Sequence, residues 1–309
     1  MTVRRGANVT VVAGLLEVPS GPRQLRELLG GTGTVVAPGA YDALSARLIE
    51  EAGFQAVYMT GFGTAASLLG RPDIGLLSGS EMIDNARRIV GCVAIPVIAD
   101  ADTGYGNPIN VIRTVRDYER AGVAGVHLED QVMPKRCGHL SGKVLVPADD
   151  MAAKVRAAVA ARTDPDFVVI ARTDARAVEG LRAALDRAAR YLEAGADVLF
   201  VEAPEDEDEI ALIASELAGV PLLFNWAEGG RTPPVSLARL GELGFRIVIF
   251  PIGALLSAAT AVRSFLVTLR RDGTPSAMLT DLPTIAEFVD MLGMAEVHEL
   301  EARFGDQPT

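Results

Sequence analysis

A chain of 309 residues with 49% hydrophobic content is long enough for one large α/β domain with an extensive core. Its net charge of −11 argues against nucleic acid as a partner, because phosphate binding requires a basic face. Only two cysteines, Cys92 and Cys137, occur; they give no disulfide framework and point to a reducing, cytoplasmic setting.

At the N-terminus, Arg4-Arg5 precedes a mildly apolar run over 9–16. The run is short, contains Thr10 and Gly14 and lacks a clear small-residue cleavage site, so export is not expected. No stretch approaches the roughly 18 apolar residues of a membrane span, so no membrane partner is expected. Gly30-Gly31-Thr32-Gly33 precedes rather than follows a strand and reads as a turn, not a phosphate-binding fingerprint. From about residue 34, short β-branched apolar runs alternate with longer amphipathic stretches. The runs cover 34–37, 56–59, 96–99, 125–128, 167–170, 198–201, 221–224 and 246–249. Between them lie helical patterns such as Leu181, Leu185, Ala188, Ala189 and Leu192, ending at Gly195. Eight such units predict an α/β fold, a (β/α)8 TIM-type barrel. The division expected is an extension over 1–23, a barrel over 24–275 and a helical segment over 276–309.

A barrel collects its chemistry at the carboxyl ends of its strands. Tyr41-Asp42, the stretch from Thr60 to Gly63, Asp100 and Asp102, Glu129-Asp130, Arg172-Thr173-Asp174, Glu202, Asn225 with Glu228, and Pro251 all fall there. One such end reads as a helix cap. Charge after strand upon strand does not. Residues two apart share a strand face, so Asp100 and Asp102 are expected to converge on one spot. Like charges so close require a cation or a shared proton between them, and oxygen donors suit magnesium or manganese, with Glu129 and Asp73 as further ligands through water. Arg172 offers a planar fork for a substrate carboxylate; the alternative is an ion pair with Asp174 or Glu202.

Lys135-Arg136-Cys137-Gly138-His139 is too irregular and polar for a helix. Cations on both sides are expected to lower the thiol pKa and make Cys137 a proton donor or nucleophile. The plainer alternative is a solvated basic loop with an incidental cysteine. His139 reads equally as a proton shuttle or a loop-stabilising hydrogen-bond partner. The acidic run 205–209 reads as a solvated helix N-terminus, and Trp226 either walls the pocket or packs beneath it.

Taken with Tyr41-Asp42-Ala43-Leu44-Ser45, Asp100 to Gly106, Leu128 to Val132, Lys135 to His139, Ala171 to Ala175, and Asn225 through Gly230 to Pro233, the chain resembles the isocitrate lyase and phosphoenolpyruvate mutase superfamily over 24–270. The resemblance implies a barrel whose last helix is exchanged between subunits, usually in a tetramer built as a dimer of dimers. It implies a Mg²⁺ site (Mn²⁺ being the alternative) at Asp102, with Asp73, Asp100 and Glu129 through waters. Candidate substrate contacts are Tyr58, Thr60, Gly61, Phe62, Gly138, His139, Arg172, Glu202, Asn225 and Glu228, and the catalytic candidates are Cys137, Lys135, Arg172 and Glu129. In lyases of this kind the loop closes over the pocket and the cysteine protonates the departing enolate carbon. Relatives that hold a tricarboxylate carry arginines where this chain aligns Leu256 and Ile285, and a serine with glycines where it has Thr60-Gly61-Phe62. A buried carboxylate without a partner cation is costly, so the expected substrate is a small alkylmalate-like dicarboxylate, cleaved to a 2-oxo acid and a carboxylic acid. The alternatives are a phosphorus–carbon bond-forming mutase and an oxaloacetate hydrolase.

Overall fold

The eight apolar runs form eight parallel strands in a computed structural model that describes residues 15–16 and 21–305. They are β1 (Val35–Ala40), β2 (Val57–Met59), β3 (Val97–Asp100), β4 (Gly125–Glu129), β5 (Val168–Thr173), β6 (Val198–Val201), β7 (Leu222–Asn225) and β8 (Phe245–Phe250). Each pairs with its sequence neighbour, and β8 returns to β1, with Val35 opposite Ile247, closing the barrel. Most of the predicted runs stop short of the observed carboxyl ends. The apolar pattern ends where side chains turn polar, but the backbone ladder continues past it, pairing Glu129 with Arg172 and Thr173 with Val201. Asp100, Glu129, Arg172 and Asn225 are thereby held within strands rather than on loops.

Alternation along the strands divides the core in two. Tyr58, Ile98, Ile170, Phe200, Leu223 and Ile247 form one cluster, joined by Leu25 from the helix Gly21–Gly30. Val57, Met59, Val97, Val126, Val169 and Val248 pack with the surrounding helices in the other. The helix Leu181–Glu193 buries Ala184, Leu185, Ala188 and Tyr191, and Gly195 follows it at φ 102°. The predicted extension over 1–23 falls largely outside the described residues; its last residues, 21–23, already belong to the first helix.

Three C-terminal helices lack cover. The helix Gly253–Asp272 buries none of its residues, and the helices Ile285–Met291 and Met294–Phe304 bury none either. Val262, Leu266 and Val267 are exposed on the first of them. Among the described residues, no helix is long and apolar enough to cross a membrane.

Candidate active site

The carboxylates at the ends of β3 and β4 are buried, but strand alternation is not what gathers them. β3 ends at Asp100, and Asp102 has a left-handed backbone at φ 48°. Its amide donates to Asp100 Oδ1 at 2.9 Å, so a turn aims the second carboxylate. The other Asp100 oxygen accepts from the Gly61 amide at 3.2 Å. A Cβ at Gly61 would lie 2.4 Å from that oxygen, so only glycine lets the backbone approach. Lys135 Nζ lies 2.6 Å from Asp73 Oδ2 and 2.8 Å from Asp102 Oδ1, so an ammonium already bridges two of the expected metal ligands. Burial pushes the Asp102 carboxyl up to about 6 even against Lys135. Burial likewise pushes Glu129 well above the ordinary carboxylate range. Glu129 Oε1 has no hydrogen-bond partner despite being buried.

An orphaned carboxylate oxygen among buried oxygen donors fits a hard divalent cation. Among the described residues, no three ligating side chains already form a metal cluster, so the ion would have to complete the arrangement.

Opposite stands Arg172 on β5. Its Nε and Nη2 donate to the two oxygens of Asp174 at 2.9 and 3.0 Å, while Nη1 lies 3.4 Å from Glu129 Oε2. The guanidinium also lies over the Phe200 ring, 5.1 Å from its centroid. The ion-pair alternative for Arg172 is therefore realised, and the side chain still lines the cavity. Asp174 is held from below: its amide donates to Asp130 Oδ1 at 2.9 Å. Asp130 Oδ2 accepts from Thr173 Oγ1 at 2.7 Å and Tyr191 OH at 2.8 Å, and Arg187 Nη1 lies 3.3 Å away. Removing one partner of such a buried charged set costs about 3–5 kcal/mol, so Arg172 is aimed before any ligand arrives. Tyr58 OH lies 2.8 Å from Nε2 of the buried His127, which burial holds below its ordinary pKa.

The loop 131–145 leaves the end of β4 and folds back over the barrel. Its base is tied by Val132 N to Val144 O at 2.7 Å and Val146 N to Asp130 O at 2.9 Å. Gly138 rests on Arg172 and Glu202, and His139 Nε2 lies 3.3 Å from Glu202 Oε1 while its Nδ1 accepts from the Arg231 amide at 3.2 Å. The loop-stabilising reading of His139 is thus present. Glu202 is steadied by Asn225 Nδ2, 3.2 Å from both carboxylate oxygens.

The expected acidification of Cys137 is corrected by this geometry. Burial pushes its thiol up to about 11. The flanking cations point elsewhere, Lys135 to carboxylates and Arg136 Nη1 to Ser141 O at 3.2 Å.

The strand ends and the loop enclose a cavity of about 170 Å³. Of the sequence candidates, Tyr58, Thr60, Phe62, Asp73, Asp100, Lys135, Cys137, Gly138, His139, Arg172, Glu202, Asn225 and Glu228 line it. Gly61, Asp102 and Glu129 do not. Glu228 has a second task, since its Oε2 accepts from the Ile252 amide at 3.0 Å, where the helix Gly253–Asp272 begins. Leu140, Ala227 and Ile252 line the cavity without having been singled out, because nothing in their spacing separates them from ordinary apolar loop residues. The specificity positions move away from the site: Leu256 is 45% exposed and Ile285 86% exposed, and neither lines the cavity. Trp226 packs against Phe250, its Nε1 donating to Val235 O at 2.9 Å, and is absent from the lining. The acidic run caps its helix through Asp206 and pairs with Arg176 through Glu205 and Glu209.

Comparison with known proteins gives a consistent picture. The model of the phosphoenolpyruvate phosphomutase family matches residues 25–270. The chain is 47% identical over 281 residues to the 2,3-dimethylmalate lyase of Eubacterium barkeri, covering 91% of this chain and 97% of that one. A crystal structure of 2,3-dimethylmalate lyase, described as a PEP mutase/isocitrate lyase superfamily member, superposes with a TM-score of 0.88 at 44% identity, covering 94% of this chain and 96% of that one. An oxaloacetate acetylhydrolase bound to 3,3-difluorooxalacetate also gives 0.88, at 41% identity over 95% of this chain and 100% of that one.

Proposed function

The chain belongs to the PEP mutase/isocitrate lyase superfamily, and from that membership we propose that it is a Mg²⁺-dependent carbon–carbon lyase acting on an alkylmalate-like 2-hydroxy dicarboxylate. The products are a 2-oxo acid such as pyruvate and a carboxylic acid. The observation that carries this reading is the charge balance of the cavity. Asp73, Asp100, Glu202 and Glu228 line it against the cations Lys135 and Arg172 alone, and both of those are already paired with carboxylates. A dianionic substrate enters such a pocket favourably only with a divalent ion, and a third carboxylate finds no unpaired cation among the described lining residues. Phe62, Leu140 and Ile252 offer apolar surface to alkyl groups instead.

In the reaction the substrate hydroxyl loses its proton and its carbon becomes a carbonyl. The bond to the neighbouring carbon breaks, and the electron pair moves onto that carbon and its carboxylate. Cys137, kept as a thiol by its burial, donates the proton that completes the carboxylic acid. Arg172, fixed by Asp174, orients a substrate carboxylate. The hydroxyl proton passes to a carboxylate of the site, and Glu129, with its unpartnered Oε1, and the Lys135 ammonium set the charge around it. Asp102, Asp100, Asp73 and Glu129 would hold the metal, whose charge would stabilise oxygens that turn negative.

The same reading makes the protein a cytoplasmic homo-oligomer that exchanges the uncovered helix Gly253–Asp272 between subunits, with the barrel over 24–275 as the catalytic unit. The test is a substrate panel of alkylmalates, methylisocitrate, oxaloacetate and phosphonate precursors with Mg²⁺, products being identified by NMR. An alkylmalate is expected to have the highest kcat/KM. Preference for a phosphonate precursor would instead identify a mutase, and preference for oxaloacetate a hydrolase.

A further inference from the structure

We propose that Lys143 is a positioning residue that latches the thiol-bearing loop shut; the catalytic consequence rests on the lyase reading above, the latch itself does not. Lys143 lies between the exposed residues Gly142 and Val144, yet its own side chain is only 2% exposed. Lysine is rarely buried unless paired. The burial is explained by where the ammonium goes. Lys143 Nζ donates to the carbonyl oxygen of Gly138, the residue after Cys137, and lies 3.1 Å from Asp174 Oδ1. Asp174 stands just past the end of β5, tied to Arg172 by two hydrogen bonds and through its amide to Asp130. One ammonium therefore joins the tip of the loop to the most firmly held part of the barrel rim.

The other bonds around the tip are of a different kind. Leu140 N donates to Cys137 O at 2.8 Å, Arg136 N to Gln131 Oε1 at 3.0 Å, and Gln131 Nε2 to Arg136 O at 2.8 Å. These contacts connect the loop to itself or to its own base and move with it. Lys135 and His139 also reach the barrel, but Lys135 contacts the expected metal carboxylates and His139 the Glu202 rim. Only Lys143 among these three grips the backbone directly beside the thiol. Without it the Gly138 carbonyl loses this donor, Asp174 loses one of its two cations, and the open loop gains population. An open loop carries Cys137 away from Arg172 and admits water.

The test uses the full-length protein carrying Cys92→Ser, so that Cys137 is the sole thiol. Alkylation by iodoacetamide reports how often the loop opens and needs no substrate. Lys143→Met, which keeps the length of the side chain and removes its charge, is expected to speed alkylation about tenfold or more. It should lower kcat on an alkylmalate by a similar factor with little change in KM. Lys143→Arg, which retains donors, is expected to restore slow labelling. Lys143 lies outside every strand and helix, so the fold should survive; if circular dichroism shows otherwise for the Met variant, Lys143→Gln takes its place. Unchanged labelling in a folded variant overturns the latch. Faster labelling with undiminished turnover overturns its catalytic role. Faster labelling in a protein whose wild type cleaves no alkylmalate leaves the latch standing and removes the lyase reading.

Discussion

Adding one methyl group to the loop tip tests whether the reaction requires the closed loop. At Gly138→Ala the new Cβ would overlap Glu202 Oε1 and lie 2.6 Å from both Arg172 Nη2 and Glu202 Cδ. Such contacts are harmless when a flexible side chain can swing aside, but neither of these can do so freely. Glu202 is held by Asn225, and Arg172 by two hydrogen bonds to Asp174. Either the loop backs away, or a charged hydrogen bond worth roughly 1.5–3 kcal/mol breaks. Overpacking costs typically about 1–3 kcal/mol. If that cost falls on the closed state alone, turnover should drop roughly 5- to 150-fold. The thermal midpoint should hardly move, because the loop lies outside the barrel strands. The assay is steady-state turnover of the best alkylmalate beside a thermal melt of the same preparation. Wild-type turnover in a folded Gly138→Ala protein would refute the idea that chemistry takes place beneath this loop.

Three further outcomes follow from the same geometry. Cys137→Ser replaces a thiol by a far weaker acid of similar size, so lyase turnover should fall by about 10²–10⁴ while substrate affinity changes little; near-normal turnover under chemistry-limited conditions excludes Cys137 as the proton donor. Burial raises the Asp102 carboxyl to about 6 and Glu129 well above the ordinary carboxylate range, so Mg²⁺ should bind more weakly as pH falls, by roughly tenfold or more per unit below about 6, as the ion must displace protons; calorimetric affinity flat through this range would count against these carboxylates as ligands. Phe62→Ala removes an apolar wall of the cavity, and the preference for an alkylated over an unsubstituted malate should shrink by about 10-fold or more, read as a ratio of kcat/KM values; an unchanged ratio would put the alkyl group elsewhere.

The barrel was legible because its strands are buried on both faces and so read as unbroken β-branched runs, each followed by a helical pattern. Strand ends were less so: Arg172 and Thr173 stay in the ladder although their polarity ended the run. Polar residues at strand ends were visible as candidates, but their directions were not. Asp102 turns through a positive φ, and the cations beside Cys137 in sequence point away from it in space, so both arguments from neighbouring residues needed correction. Leu256 and Ile285, taken from resemblance, fall on exposed helices. A lysine after Ser141-Gly142 reads as solvated in the sequence; the Gly138 carbonyl and Asp174, the latter 31 positions along the chain, explain its burial. The order of strands survives translation into a linear pattern, whereas the aim of a loop side chain depends on partners that sequence spacing does not reveal.

The most direct measurement follows a dialkylmalate by NMR in D₂O with Mg²⁺, since the proposed chemistry fixes both the products and the origin of one hydrogen. The account predicts pyruvate or another 2-oxo acid together with a carboxylic acid that carries one deuterium on the carbon released by cleavage, and no reaction after chelation of the metal. Intact dialkylmalate, or cleavage that continues undiminished in excess chelator, would contradict it.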